Sequence, residues 1–326
     1  MTALITGIGY IGAALAEALL ADGEQVVGLE NGFSTVPAVV NRLAKHPRFT
    51  LVRGSINSAR SIERAFAAAG DGVDVVYHLA AQASAHPQAA PPSYTEQTNL
   101  VAPRLVYEAA ARHGARTFVY GSSFRVYGDD VSGIVGESTP YGRIGDLSHL
   151  SKVYAEKLLE MLSGQHAVSV LNVRLGVVYG LGPLMKDDPR FLTVPNLFCR
   201  RTVAGEPLTV HAGANRPIGF LHLDDAVQSL RVAASIGLGS CAGAEALNAV
   251  SEVLGVGEVA AIVGREANAR GLSPKIVGAG PLTGPRWSVA SSLDAAGFRP
   301  TRTMDERLGE ILDYYARRKE TGDRRQ

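Results

Sequence analysis

The chain has only two cysteines in 326 residues, Cys199 and Cys241. They are too few for a disulfide framework and too far apart for a zinc or redox pair, so no metal site is expected and a reducing cytoplasm fits. Charge of one sign is also missing. Lys+Arg 32 against Asp+Glu 31 creates no field that gathers nucleic acid or anionic lipid. No apolar run is long enough to cross a bilayer, and no charged-then-apolar leader precedes the strand-like run entered by Thr2. Neither nucleic acid nor membrane is therefore an expected partner, and neither export nor anchoring is expected. There is no internal repeat and no low-complexity tract. What the chain does have is 46% apolar residues over a length that buries the core of one large domain or two modest ones.

Those apolar residues fall into two alternating patterns. Short β-branched runs predict strands at 3–6, 25–29, 50–52, 73–78, 116–120 and 169–174. Segments apolar at three-to-four-residue intervals predict helices at 10–21, 58–69, 96–113 and 151–162. Strand and helix in alternation read as an α/β, Rossmann-type, doubly wound parallel sheet. After Arg174 the pattern is broken by Gly and Pro, which predicts a smaller, loop-rich unit. The expected division is an NAD-binding domain over 1–175, with returns near 219–250, and an interleaved substrate-binding domain over 176–326. The charged, apolar-poor stretch from Arg317 to Gln326 reads as a frayed tail.

The first strand runs into Gly7-Ile8-Gly9-Tyr10-Ile11-Gly12, with an amphipathic helix directly after it. Three glycines at that junction permit a tight turn and close approach of backbone to a pyrophosphate, which the helix N-terminus then faces. Glu30 closes the next strand, 18 residues after Gly12. A carboxylate there accepts hydrogen bonds from the adenosine ribose hydroxyls and repels a 2′-phosphate, so NAD is expected rather than NADP.

With these motifs in place the sequence from about residue 3 to residue 315 resembles the extended short-chain dehydrogenase/reductases, the NAD-dependent epimerase/dehydratase family of UDP-galactose 4-epimerase. The resemblance rests on Gly7 to Gly12, His78-Leu79-Ala80-Ala81, Asn99, Ser122-Ser123, Val126-Tyr127-Gly128, Ser151-Lys152 followed by Glu156, Arg174, Tyr179-Gly180 and Leu223-Asp224-Asp225. It implies NAD held by Gly7, Gly9, Tyr10, Ile11, Gly12, Glu30, Asn31, Ser55, Ile56, Leu79, Ala80, Ala81, Asn99 and Lys152. It implies substrate contacts at Gln82, Ser123, Val177 and Arg216. In such enzymes NAD takes a hydride from a sugar carbon. A Ser/Thr hydroxyl orients the reacting oxygen, a Tyr phenolate removes its proton, and a Lys four residues after the Tyr lowers the phenol's pKa. Ser123 matches the hydroxyl, Lys152 the lysine, and Tyr127 a packing position.

The sequence departs from that pattern where the base belongs. Four residues before Lys152 stands Ser148, whose aliphatic hydroxyl is shorter and far less acidic than a phenol. His149 and Tyr141 are the nearby candidates for a relocated base, although His149 projects about 100° around the helix from Ser148. Ser55 replaces an adenine-contacting acid, Val177 a substrate-contacting Asn, and Ile218 a phosphate-binding Arg, with Arg216 two residues earlier. Phe124-Arg125 stands where the 4,6-dehydratases carry Asp-Glu, which argues against that subclass.

The expected function is an NAD-dependent epimerase or oxidoreductase acting at a secondary alcohol of a sugar, nucleotide-linked or not, with a non-standard base. Two rivals remain: a related enzyme on a small non-nucleotide metabolite, and a catalytically silent NAD-binding sensor or scaffold. A homodimer is expected through the helices at 96–113 and 151–162, as in similar proteins, with apolar stripes that include Leu100, Leu105, Val106, Val153, Leu158 and Leu159.

Overall fold

A computed structural model describes residues 1–321 apart from 85, 87, 187, 212, 241 and 279. Cys241 and the tail end 322–326 thus lie outside the described residues. The first part runs β1 (Thr2–Thr6), α1 (Tyr10–Ala21), β2 (Gln25–Glu30), α2 (Pro37–Leu43), β3 (Phe49–Arg53), α3 (Ala59–Ala67) and β4 (Val75–His78). It continues through α4 (Pro92–Glu96), α5 (Ala102–Arg112), β5 (Thr117–Ser123), β6 (Gly133–Val135), α6 (Leu147–Ser163) and β7 (Ser169–Leu175). The remainder is β8 (Val177–Tyr179), α7 (Val194–Ala204), β9 (Leu208–Thr209), β10 (Pro217–His222), α8 (Leu223–Gly239) and β11 (Gly243–Ala249). Last come β12 (Glu252–Gly255), α9 (Val256–Asn268), β13 (Ile276–Val277), β14 (Trp287–Val289) and α10 (Met304–Glu320).

Seven strands form one sheet in the order β11-β7-β5-β4-β1-β2-β3, and every neighbouring pair is parallel. Successive residues of a strand face opposite sides, and both sides are covered, so the strands read as unbroken apolar runs. Ile5, Val75 and Tyr77 face a layer built on Leu15 and Leu19 of α1 and Leu230 of α8. Leu4, Val76 and Phe118 face the opposite layer, which holds Ile62 of α3, Val106 of α5 and Leu159 of α6. The order reverses between β1 and β4, and a crevice opens beyond the carboxyl ends of strands at such a reversal. The glycine loop after β1 and Leu79-Ala80-Ala81 after β4 both sit there.

Within the segment near 219–250, β11 joins β7 and makes a seventh strand of the sheet. Other expectations are corrected. Between its loops, the segment after Arg174 builds a helical core that the pattern did not predict: α7, α9 and α10 bury Phe198, Val259, Val263, Leu308 and Leu312 against Phe220 of β10. The helix expected over 96–113 is interrupted by a π-helical turn at Gln97–Val101, for a reason visible in Pro103. A proline has no N–H to give the Asn99 carbonyl four residues back, so a regular α-helix cannot run through that point. The expected frayed tail is corrected over its described part, because Arg317 to Glu320 close the last turn of α10, where cations favour the helix C-terminus.

Candidate functional site

The crevice is built first from glycine. Gly7 has φ +83, and a Cβ there would lie 2.7 Å from the Ala80 Cα, so only glycine lets the β1 and β4 loops touch across the reversal. At Gly9 a Cβ would meet nothing within 4 Å, which leaves open space over the backbone where a pyrophosphate approaches. Gly9 is also the N-cap of α1, with no side chain bonded to the helix's first N–H groups. Open donors at a helix N-terminus beside an empty cradle fit a dinucleotide diphosphate. Tyr10 turns away, and its buried hydroxyl donates to the Gly180 carbonyl at 2.6 Å. Ile11 packs against the apolar layer under α1.

Glu30 ends β2 beside this loop. Its carboxylate accepts the N–H of Ile8 at 2.8 Å and that of Gly32 at 2.6 Å. Asn31 holds the turn that follows, its side-chain oxygen accepting from Phe33 N–H at 2.9 Å. Ser55 caps a turn by accepting from Asn57 N–H at 3.1 Å, while Ile56 is buried in the core. Lys186 reaches in from the loop before α7 and lies over the Phe191 ring at 5.0 Å. Burial lowers its amine pKa, against the pull of Glu30 and Asp188. No sequence motif pointed to this lysine, because its neighbours come from segments 150 residues apart.

Asn99 fixes the other wall. Its side-chain oxygen accepts the Gln82 N–H at 2.8 Å, and its amide donates to the Gln82 carbonyl at 2.9 Å and to Ser151 Oγ at 3.2 Å. The Gln82 side chain folds onto the Ser84 backbone. Behind β4, His78 Nδ1 pairs with Thr6 Oγ1 at 2.8 Å, and burial pushes its pKa down to about 3, helped by the charge of Lys152.

α6 carries the candidate residues Ser148, His149 and Lys152. Asp146 caps the helix by accepting the N–H of His149 at 2.8 Å and pairs with Arg125 at 2.8 Å. Lys152 is buried, and its Nζ donates to the Gly121 carbonyl at 2.6 Å, two residues before Ser123 on β5. Ser123 Oγ accepts from Arg125 N–H at 3.3 Å and so caps the turn after β5. Ser148 lies one helical turn before Lys152, half-buried, with its carbonyl accepting from Ser151 Oγ at 2.8 Å. The structure thus brings Lys152 to the carboxyl end of β5, where Ser123 lies, with Ser148 one turn earlier on the same helix.

His149 and Tyr141 are held in other ways. The Gly145 N–H donates to His149 Nδ1 at 3.2 Å, which places the ring proton of the neutral imidazole on Nε2. That Nε2 is buried with no partner among the described residues. The Tyr141 hydroxyl donates to Glu156 Oε2 at 3.0 Å and takes a 3.5 Å contact from Arg174. Burial raises its pKa, and Glu156 adds to the rise. Glu156 and Arg174 form a buried ion pair at 2.7 Å, joined by Ser122, and Arg174 also donates to the Tyr127 hydroxyl. Tyr127 in turn donates to Asn248 at 2.8 Å. This network ties β5, α6, β7 and β11 together behind the site.

The expected substrate contacts lie farther out. Val177 and Ile218 pack against the apolar cluster of α7, α9 and α10. Arg216 pairs with Asp129 at 2.9 Å, both half in solvent.

The model of the NAD dependent epimerase/dehydratase family matches residues 3–236. A protein of Bacillus subtilis strain 168 described as an uncharacterized UDP-glucose epimerase is 28% identical over 251 residues, 71% of this chain and 71% of its own length. UDP-glucuronic acid decarboxylase 3 of Arabidopsis thaliana is 30% identical over 231 residues, which is 69% of this chain and 63% of that protein. Among solved structures, the UDP-glucose 4-epimerase of Thermotoga maritima with UDP-glucose superposes with a TM-score of 0.80 at 21% identity, covering 99% of this chain and 100% of that one. A UDP-galactose 4-epimerase gives a TM-score of 0.76 at 27% identity over 98% and 99% of the two chains.

Proposed function

The chain belongs to the NAD dependent epimerase/dehydratase family, and from that premise we propose that it oxidises a secondary alcohol of a sugar nucleotide with bound NAD and returns the hydride. The observation that carries the reading is the crevice itself. An uncapped α1 N-terminus over Gly9, the Glu30 carboxylate and the Lys152 amine line one path from the β1–β4 reversal to the end of β5. Bound there, NAD supplies the hydride acceptor. Gly9 admits its diphosphate, Gly7 and Gly12 let the turn around it close tightly, and Glu30 takes the adenosine ribose. Asn99 holds the Ala81-Gln82 loop against it, and Lys152 meets the nicotinamide end. Ser123 orients the sugar hydroxyl. UDP-hexoses form the first substrate panel, because the relatives named above are a UDP-sugar epimerase and decarboxylase.

The catalytic base is not the family's phenol. Tyr141 already donates its proton to a carboxylate, and His149 carries its proton on the nitrogen that is left over, so neither geometry favours the relocated bases. The silent NAD binder is the second reading, favoured by Ser148 in the phenol's place.

The protein is further proposed to be a cytoplasmic homodimer. Supporting the first is a free, buried Cys199 and the lack, among the described residues, of any helix long and apolar enough to cross a membrane. Supporting the second is an exposed apolar row on α6. The deciding experiment denatures the purified protein and identifies the released dinucleotide by mass spectrometry, then follows NADH absorbance in a single turnover with each UDP-hexose. Released NAD with NADH formed from at least one sugar supports the enzyme. Released NAD with no NADH from any sugar supports the silent binder.

A further inference from the structure

A hydroxyl cannot be oxidised to a ketone unless its proton has somewhere to go, and Ser148 is too weakly acidic to start as an alkoxide. We infer that Lys152 is itself the proton acceptor, reached through the Ser148 hydroxyl, which takes the sugar proton as it passes its own to Nζ. The inference rests on the hydride-transfer reading above and deepens it at the same site.

The geometry supports the relay in three ways. Ser148 and Lys152 are four residues apart on α6, so their side chains share one face of the helix. The Ser148 Oγ makes no hydrogen bond among the described residues, whereas the serines at the end of β5 and Ser151 on α6 are engaged: Ser123 caps a turn, Ser151 bonds the Ser148 carbonyl and Ser122 bonds Glu156. Lys152 Nζ has one hydrogen-bond acceptor, the Gly121 carbonyl, and sits 4.7 Å above the Tyr120 ring.

The groups facing the amine come from several elements. On α6 itself, Glu156 is one turn away, but its oxygens are taken by Arg174, Ser122 and Tyr141. His149 shares the same side of that helix. From β4 comes His78, held neutral by burial, and from β5 comes Tyr120, whose phenol burial raises. From β7 comes Arg174, its charge met by Glu156. The first turns of a helix add the positive end of the dipole. Among these, burial is the largest influence on Lys152 and lowers its pKa from 10.5 to about 8, with Glu156 pulling the other way. A lysine so placed is partly neutral at physiological pH and has a lone pair to offer, as in the Ser–Lys variants of nucleophilic sites.

The step balances. The carbinol carbon gives up its hydrogen with both electrons to the bound NAD, and the C–O bond becomes C=O. The hydroxyl proton moves to Ser148 Oγ as the Ser148 proton moves to Nζ, so the neutral amine becomes ammonium. Return of the hydride reverses each transfer.

The test uses NAD-saturated full-length protein labelled with 15N at lysine Nζ and titrated by NMR, with the Lys152 signal assigned by its loss in Lys152→Arg. The expected result is a lysine titrating near 8; a value above 10 overturns the relay. Lys152→Arg keeps a cation but cannot deprotonate, so at saturating NAD, NADH formation should fall by at least about a hundredfold, the usual scale of a lost general base. Near-normal NADH formation in that variant overturns the relay. Because arginine also differs in shape, Lys152→Cys alkylated with 2-bromoethylamine supplies a second check. Its thioether makes the restored amine less basic, so the pH midpoint of NADH formation should fall, and an unmoved midpoint overturns the relay. A Lys152 titrating above 10 in protein that still forms NADH rejects the relay and spares the hydride-transfer reading. No NADH from any sugar nucleotide rejects that reading, and the relay with it.

Discussion

Each oxygen of Glu30 accepts one main-chain N–H, from Ile8 or from Gly32, and each keeps a second lone pair for a ribose hydroxyl. The same carboxylate therefore braces the glycine loop and, on the proposed reading, selects the cofactor. Glu30→Ala should weaken NAD binding by about tenfold, or ~1.4 kcal/mol, and narrow the preference over NADP, as titration calorimetry with both dinucleotides will show. Equal affinities in the unmodified protein would remove the argument. His78 acts at the same scale on stability. Its pKa is pushed down to about 3 from 6.5 by burial and then by Lys152, so between those values the unfolded chain takes up a proton that the folded chain refuses. Its contribution is complete above pH 6.5 and is lost as pH falls toward 3, by at most ~1.4 kcal/mol per pH unit. Urea midpoints measured from pH 7 to pH 5 should fall less steeply in His78→Asn, whose amide can still meet Thr6. Identical slopes would show that other groups set the acid limit.

At the scale of elements, the π-helical turn before α5 matters more than its five residues suggest. Pro103 breaks the regular ladder, and the turn that results carries Asn99 to the Gln82 main chain. Asn99→Ala strands a buried N–H and carbonyl on Gln82, so the protein should lose about 2 kcal/mol of stability and release NAD faster, measured by thermal unfolding and by cofactor exchange. The site was legible in the sequence where chemistry is local. Gly7, Gly9, Gly12 and Glu30 sit on one strand–turn–helix–strand unit, and their roles follow from spacing and from the conformations glycine permits. The parallel sheet was legible too, because strands covered on both faces read as apolar runs. The rest depends on partners distant in the chain. Glu156 and Arg174 appeared as motif letters, yet their pairing behind Ser122, Tyr141 and Tyr127 exists only once β5, α6 and β7 are assembled. The ring proton of His149 is set by the Gly145 N–H, a loop contact no periodicity reveals. α7 and α9 were hidden because prolines and glycines at their ends outweighed the apolar spacing inside them.

For the whole molecule, the expected two-fold contact has to be moved around α6. Leu158, Leu159 and Val106, named from the apolar pattern, are buried against the sheet and unavailable to a second copy. What α6 shows to solvent instead is Leu150, Tyr154 and Met161, with Met161 53% exposed. Spacings of four and seven residues put the three on one stripe. Val101, at the end of the π-helical turn, is 54% exposed on the neighbouring element. Leu105 of α5 is half-buried beside the Arg104–Glu108 ion pair, which supplies a polar rim. A two-fold axis through such a patch sets α5 and α6 of one protomer against α6 and α5 of the next, so each apolar stripe covers its own image. Because the same helix carries Ser148 and Lys152 on its inner face, packing on the outer face would also hold the reacting residues in place. Tyr154→Glu combined with Met161→Glu puts two like charges on each side of the axis without touching a core residue. Light scattering at micromolar concentration should then report a dimer for the unmodified protein and a monomer for the double variant, with the dimer constant weakened by at least about a hundredfold, ~2.7 kcal/mol. Circular dichroism should be unchanged, since both side chains lie outside the core. A monomeric unmodified protein would reject the two-fold contact, and a dimer that survives both charges would place the interface on another face.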